Sequence, residues 1–201
     1  MMPEHATKLR PDFATIGHWI EPGSRVLDLG CGDGSLLRYL ESLRSTRGYG
    51  VEIDSANVQT CVENQVNVIH MDLESGLSGF ESNSFDFVIL SQTLQAMKNT
   101  EHIVKEMLRV GREGIVTFPN FGHWQHRWQV FKGHMPVSED LPFQWFDTPN
   151  IHLCTLKDFE AFCHQHGIRI RERVIMSEGK KVDWMPNLLG RLAVYRFEHL
   201  K

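Results

Sequence analysis

Gly30, Gly32 and Gly34 alternate with other residues directly after the apolar run Arg25-Val-Leu-Asp-Leu29. The segment that follows carries Leu36, Leu37, Leu40 and Leu43 on one helical face. A glycine cluster at a strand-to-helix turn suits a ligand. Unpaired N–H groups and the positive end of the helix dipole face the crevice, and the missing side chains let a ligand approach the backbone. Glycines also serve tight turns, so the loop alone is weak evidence. Three acids accompany it. Asp28 opens the loop, where a carboxylate suits an ammonium group. Glu52 lies about 20 residues beyond Gly32, at the end of the next apolar run, and is placed to accept both hydroxyls of a ribose. Asp72 ends the run after that, within reach of an adenine amino group.

The elements that would hold these groups alternate. Pro11 to Ile20 has helical spacing and is stopped by Pro22-Gly23. Arg25–Leu29, Gly48–Ile53, Val66–Met71, Ser84–Ser91 and Gly114–Phe118 read as strands. Between them, helices are expected from Ser35 to Leu43, after a Ser55 cap with Val58, Cys61 and Val62 inward, and from Glu101 to Val110. This alternation predicts an α/β fold with a parallel sheet. Thr155 caps a further helix with Phe159, Phe162 and Cys163 inward, and Gly167 closes it. Ile168–Met176 and Leu192–Phe197 read as the last two strands, and the charged loop from Ser177 to Lys181 as solvated.

Bulk properties narrow the function. A net charge of -4 and the lack of a dense Lys/Arg run disfavour nucleic acid as a partner. Cys31, Cys61, Cys154 and Cys163 form no C-x-x-C pair, which suits a reducing cytosol rather than a disulfide framework. No stretch has the length and apolarity of a membrane helix, and Met1 to Arg10 has no signal-peptide core, so a cytoplasmic protein is expected. The chain is expected to be one domain over 1–201, with an aromatic-rich insertion at about 119–154. That insertion holds Phe121, Trp124, Trp128, Phe131, Phe143, Trp145 and Phe146. His123, His126, His134 and His152 also lie there. His123 and His152 are candidate general bases, although structural roles are commoner, and no cysteine or carboxylate completes a metal set beside His123 and His126.

A dinucleotide loop would need Gly or Ala at position 35, where Ser35 stands, and the P-loop ending is missing. The spacing of Asp28, Gly30, Gly32 and Gly34 resembles the first motif of the class I S-adenosylmethionine-dependent methyltransferases. Gly50-Val-Glu-Ile-Asp54 resembles the second motif, and Met71-Asp72-Leu73 with Phe85-Asp-Phe-Val-Ile-Leu-Ser91 resembles the third and fourth. The resemblance implies a Rossmann-like three-layer α/β/α sandwich, with a mostly parallel seven-stranded sheet and an antiparallel strand near one edge. It implies S-adenosylmethionine or S-adenosylhomocysteine as ligand, with Asp28, Gly30, Cys31, Gly32, Glu52, Ile53, Asp72, Leu73 and Ser91 as its binding residues. Ser91-Gln-Thr-Leu94 stands where methylases of adenine or glutamine amide nitrogens carry an Asn/Asp-Pro-Pro-aromatic tetrad, which disfavours that chemistry.

A closer resemblance covers nearly the whole chain. Leu9-Arg-Pro-Asp12, Phe118-Pro-Asn-Phe-Gly-His-Trp124, Met135-Pro-Val137, Trp145-Phe-Asp-Thr-Pro-Asn-Ile-His-Leu-Cys-Thr155 and Pro186-Asn-Leu-Leu189 resemble the methionine-biosynthesis protein MetW family. The resemblance implies an accessory role beside a homoserine O-acyltransferase as partner, with methyl transfer to a small molecule as the alternative. The chain has no G-x-S-x-G nucleophile elbow of its own, since Gly76-Leu-Ser-Gly-Phe80 fails at its last position. No catalytic residue and no oligomeric state are assigned.

Overall fold

The computed structural model describes residues 10–200. Leu9 of the first family motif, and most of the segment expected to lack a signal core, lie outside that range. Five strands run parallel: β1 (Arg25–Leu29), β2 (Arg47–Glu52), β3 (Val68–His70), β4 (Phe85–Ser91) and β5 (Gly111–Pro119). Helices α1 (Pro11–Trp19), α2 (Ser35–Arg44), α3 (Ser55–Glu63) and α4 (Thr100–Val110) alternate with them. Beyond β5 come α5 (Trp124–Phe131), α6 (Leu156–Gln165), β6 (Ile168–Ser177), β7 (Lys180–Lys181), α7 (Pro186–Leu189) and β8 (Leu192–His199). The sheet order is β3-β2-β1-β4-β5-β8-β6-β7, with β8 antiparallel to both of its neighbours.

The Rossmann-like expectation holds, with one strand more than the seven expected. The loop from Ser177 to Lys181 is a hairpin: Glu178 and Gly179 have positive φ, and Lys180 and Lys181 pair back onto Ser177 and Met176. A run of charged residues carries no apolar alternation, so this short edge strand has no period to reveal it.

Alternation sends the strand side chains to two cores. Leu27, Leu29, Val88, Leu90, Val116 and Phe118 pack on one face with α4 and α6, while Val26, Phe87, Ile89, Ile115 and Val194 pack on the other with α1 and α2. Three local expectations change. Leu43 is 49% exposed, because it lies over Gly17 of α1 in the last turn of α2, where the layer ends. Val62 is also exposed, so α3 docks by Cys61 with only part of Val58. The cap of α3 is Asp54 rather than Ser55; its carboxylate accepts from the N–H groups of Ala56 and Asn57, a bond that Ser55, already inside the helix, does not provide.

Two distant family motifs meet behind β5. The fully buried Asn120 amide donates to the carbonyls of Asn187 (3.2 Å) and Gly190 (2.8 Å), and its own oxygen accepts from the Gly122 N–H at 3.0 Å. The Asn187 side chain in turn accepts from the Leu156 N–H at the start of α6. A side chain on Gly122 would collide with Asn187, its Cβ standing 2.8 Å from Oδ1. Replacing Asn120 by Ala leaves these buried groups without partners. Asn120→Ala is expected to lower unfolding stability by about 2–4 kcal/mol. A urea titration checks this; the midpoint should fall with little change in slope.

Candidate functional site

The order of the strands reverses between β1 and β4, and in open α/β sheets ligands bind beyond the carboxyl ends of the strands at such a point. The glycine loop sits there. Gly30, Gly32 and Gly34 all have positive φ (69°, 55° and 76°), which glycine adopts without strain. The N–H groups of Gly30 and Cys31 both donate to the Val51 carbonyl, tying the loop to β2. A Cβ on Gly30 would stand 2.7 Å from the Thr93 hydroxyl, and one on Gly34 would stand 2.9 Å from Val66. Gly32 differs: nothing lies within 4 Å of its missing side chain. Its open face is therefore not dictated by packing inside the protein. Cys31 turns inward, its sulfur 3.8 Å from that of Cys61, and burial raises both thiols above their ordinary range. Only its backbone is available to a ligand.

Glu52 closes the crevice at the tip of β2. Its Oε2 accepts from the Gly32 N–H at 2.8 Å, and its Oε1 accepts from the N–H groups of Ile53 and Asp54 at 2.9 Å each. A carboxylate has about four lone-pair sites, so capacity remains for hydroxyl donors. Ile53 beside it is 59% exposed and offers a flat apolar surface. Asp72 is exposed and caps the short turn Leu73–Ser75 through the Glu74 N–H. The Leu73 side chain lies in the core below, so its backbone alone faces the crevice region.

Asp28 and Ser91 stand deeper. Asp28 is 2% exposed, and its Oδ1 is buried with no hydrogen-bond partner among the described residues. Burial pushes its carboxyl up to about 7; the positive charge of Arg10 opposes the rise, and the charges of Glu52 and Asp12 add to it. Ser91 is committed elsewhere. Its hydroxyl accepts from Arg10 (2.6 Å), donates to Asp12 (3.2 Å), and lies 3.1 Å from the Thr117 hydroxyl. Asp12, fully buried, also receives the Arg10 guanidinium. The strand-end serine thus joins a polar cluster that holds α1 against β4 and β5.

Arg10, Asp12, Thr93 and Asn120 escaped the motif-by-motif reading. Arg10 and Asp12 sit inside a quoted family motif, and a buried acid at the head of an otherwise apolar helix face was the available signal. Nothing local in the sequence marks Thr93 as the neighbour of Gly30. In the aromatic segment, His123 and His126 are both buried, and burial lowers both pKa values, so each is neutral near pH 7. His126 bonds Ser138 at 3.0 Å, and the exposed His152 meets the Lys98 carbonyl at 3.2 Å. Among the described residues no three His, Cys, Asp or Glu side chains gather as a metal set. The outer face of α5 leaves Trp128 and Phe131 stacked at 5.4 Å, and Phe131 is 79% exposed.

Comparison with known proteins bears on the family and the fold. A bifunctional methionine biosynthesis protein MetXA/MetW from Rhodopirellula baltica is 37% identical over 203 residues, covering 94% of this chain. The chain spans about a third (33%) of that relative's length. A structure described as an S-adenosylmethionine-dependent methyltransferase from Listeria monocytogenes superposes with a TM-score of 0.70 at 12% identity, covering 95% of this chain and 99% of that one. The [4+2]-cyclase SpnF superposes with a TM-score of 0.66 at 17% identity, covering 94% and 80%. At these identities the two structures establish the fold. The family model of the methionine biosynthesis protein MetW matches residues 10–197. The chain belongs to the MetW family of methionine biosynthesis proteins and has a methyltransferase-like Rossmann fold.

Proposed function

We propose that the crevice binds S-adenosylmethionine or S-adenosylhomocysteine, and that the protein serves as an accessory activator of a homoserine O-acyltransferase in the cytoplasm. The carboxylate of Glu52, held against the open face of Gly32, carries the ligand reading. In that reading Glu52 takes the ribose hydroxyls and Ile53 lies against the adenine. Asp72 accepts from the adenine amino group, and the Gly30–Gly32 backbone receives the methionine part. Asp28, buried and unpartnered on one oxygen, is the acceptor for the ligand's ammonium group.

The accessory reading is supported by the relative whose single chain carries both MetXA and MetW. Fusion places this kind of domain beside a second activity at high effective concentration, as a complex of separate chains would. The exposed Trp128–Phe131 face offers an apolar patch for such a contact. The fold alone does not fix a reaction, as its likeness to a cyclase illustrates. A second reading, methyl transfer to a small molecule, is favoured by the methyltransferase motifs. Methyl transfer needs mainly alignment of nucleophile, methyl and sulfonium; of the two candidate bases, His123 is buried and His152 is exposed.

Three outcomes are expected. Homoserine O-acyltransferase turnover should change when this protein is added, and change again with S-adenosylmethionine; turnover indifferent to both ends the accessory reading. Calorimetry of Glu52→Ala should show S-adenosylmethionine binding weakened by about 100-fold, the loss of two charge-assisted bonds. Thermal shifts by S-adenosylmethionine and S-adenosylhomocysteine should exceed any by NAD at matched concentration.

A further outcome concerns pH. With the Asp28 carboxyl near 7, the ionised fraction that can pair with an ammonium grows as pH rises. Affinity for S-adenosylmethionine should therefore climb roughly tenfold between pH 5.5 and 7. The unliganded protein moves the opposite way. Between the unfolded value of 3.8 and about 7 the native state holds a proton that the unfolded chain has lost, so stability falls with rising pH through that window. Calorimetry and melting curves of the parent and Asp28→Asn check both signs; the variant should lose both slopes.

A further inference from the structure

The carbonyl side of the glycine loop rests on α3. The Cys61 sulfur lies 3.1 Å from the Gly32 carbonyl oxygen, and the Asn64 amide at the end of the helix donates to the Asp33 carbonyl at 3.2 Å. Arg38 of α2 holds the Asn64 side-chain oxygen at 3.0 Å, which fixes the amide nitrogen as the end turned to the loop. Gly34 closes over the same sulfur, since a Cβ there would stand 3.1 Å from it.

A carbonyl only accepts, so the thiol is the donor in its contact with Gly32. Cys61 is fully buried, and burial raises its thiol above the ordinary range, which keeps the proton on sulfur at neutral pH. The Cys31 sulfur, the other polar atom near that proton, is 3.8 Å away and is a weak acceptor. The Gly32 carbonyl is the better partner.

Gly32 joins two peptide units, and each is held by a different element. Glu52 at the tip of β2 takes the Gly32 N–H at 2.8 Å, which fixes the unit before it. The unit after it is left to Cys61. Glycine turns easily between two such units, and nothing lies within 4 Å of the missing side chain to restrain it by packing. The Gly32–Asp33 peptide is trans, so a carbonyl held toward Cys61 turns the Asp33 N–H the opposite way, away from α3. That N–H bonds no backbone carbonyl among the described residues. One buried thiol therefore decides which way a free donor of the loop points.

We infer that Cys61, on the reading of the crevice as an S-adenosylmethionine site, is a positioning residue: its thiol sets the Gly32–Asp33 peptide that receives the methionine part of the ligand. This gives a ligand duty to a side chain that by burial alone belongs to the core.

Calorimetry with S-adenosylmethionine compares the parent, Cys61→Ala and Cys61→Ser at a temperature where melting curves show each to be folded. Cys61→Ala removes the donor and should bind about fivefold more weakly. Cys61→Ser puts a hydroxyl donor in its place and should return to within about twofold of the parent. A purely structural thiol would lower the melting temperature of Cys61→Ala and leave the affinity of the folded protein where it was. Cys61→Ala binding as tightly as the parent, or Cys61→Ser binding as weakly as Cys61→Ala, overturns the positioning role while the nucleotide reading stands. A parent that binds no S-adenosylmethionine ends both. If Cys61→Ala does not fold, Cys61→Val, which fills the space without a donor, takes its place with the same expected loss.

Discussion

The carboxylate of Glu52 is the constraint on which the crevice depends. It accepts three backbone N–H groups at once, one from the glycine loop and two from the chain leaving β2. The loop residues themselves make few other anchors. Gly30 and Cys31 share the Val51 carbonyl, and three positive-φ glycines carry the chain from strand to helix. An ionised acceptor bonded to N–H groups is roughly twice as strong as a neutral one, so a single side chain fixes where the open face of Gly32 points. The shape of the crevice is thus set by hydrogen bonds within the chain itself.

A second polar centre fixes the floor. Asp12 is buried completely, and it is tolerable there because Arg10, Ser91 and Thr117 all direct donors at it. Its negative charge, with that of Glu52, is also part of why Asp28 holds its proton so firmly, while Arg10 pulls the other way. One cluster therefore has two consequences. It docks α1 against the sheet, and its charges adjust the protonation of Asp28, which burial raises most. Removing any member alters both, so structural and electrostatic roles at this end of the sheet do not separate residue by residue.

The central sheet was legible because both faces of β1, β4 and β5 are covered, leaving continuous apolar runs bounded by glycine or acid. The glycine loop, Glu52 and Asp72 were legible for the same reason, since they sit where those runs end. Side-chain direction was not. Cys31, Leu73 and Ser91 occupy motif positions, but Cys31 and Leu73 point into the core and Ser91 serves the Asp12 cluster. A motif gives spacing along the chain, whereas these roles are set by neighbours about 30 to 80 residues away, such as Cys61 and Arg10. Edges were harder still. The hairpin at Lys180 has two paired residues and no apolar alternation, and Leu43 and Val62 have the period of buried residues at places where the packed layer stops.

The aromatic segment after β5 shows how one stretch can combine both kinds of duty. Its residues split by location: Asn120, His123 and His126 are buried, and the Asn120 amide locks the segment to Asn187 and Gly190, some 70 residues on. Burial keeps the two histidines neutral near pH 7, and His126 bonds the Ser138 hydroxyl. With that inner face buried, Trp128, Phe131, Trp145 and Phe146 remain outside, each more than half exposed. Scattered exposed apolar residues need no explanation, but a stacked Trp–Phe pair on a helix whose inner side is pinned is a rigid apolar surface. Rigid aromatic side chains lose little entropy on contact, so this face is the part of the molecule best prepared to meet another protein.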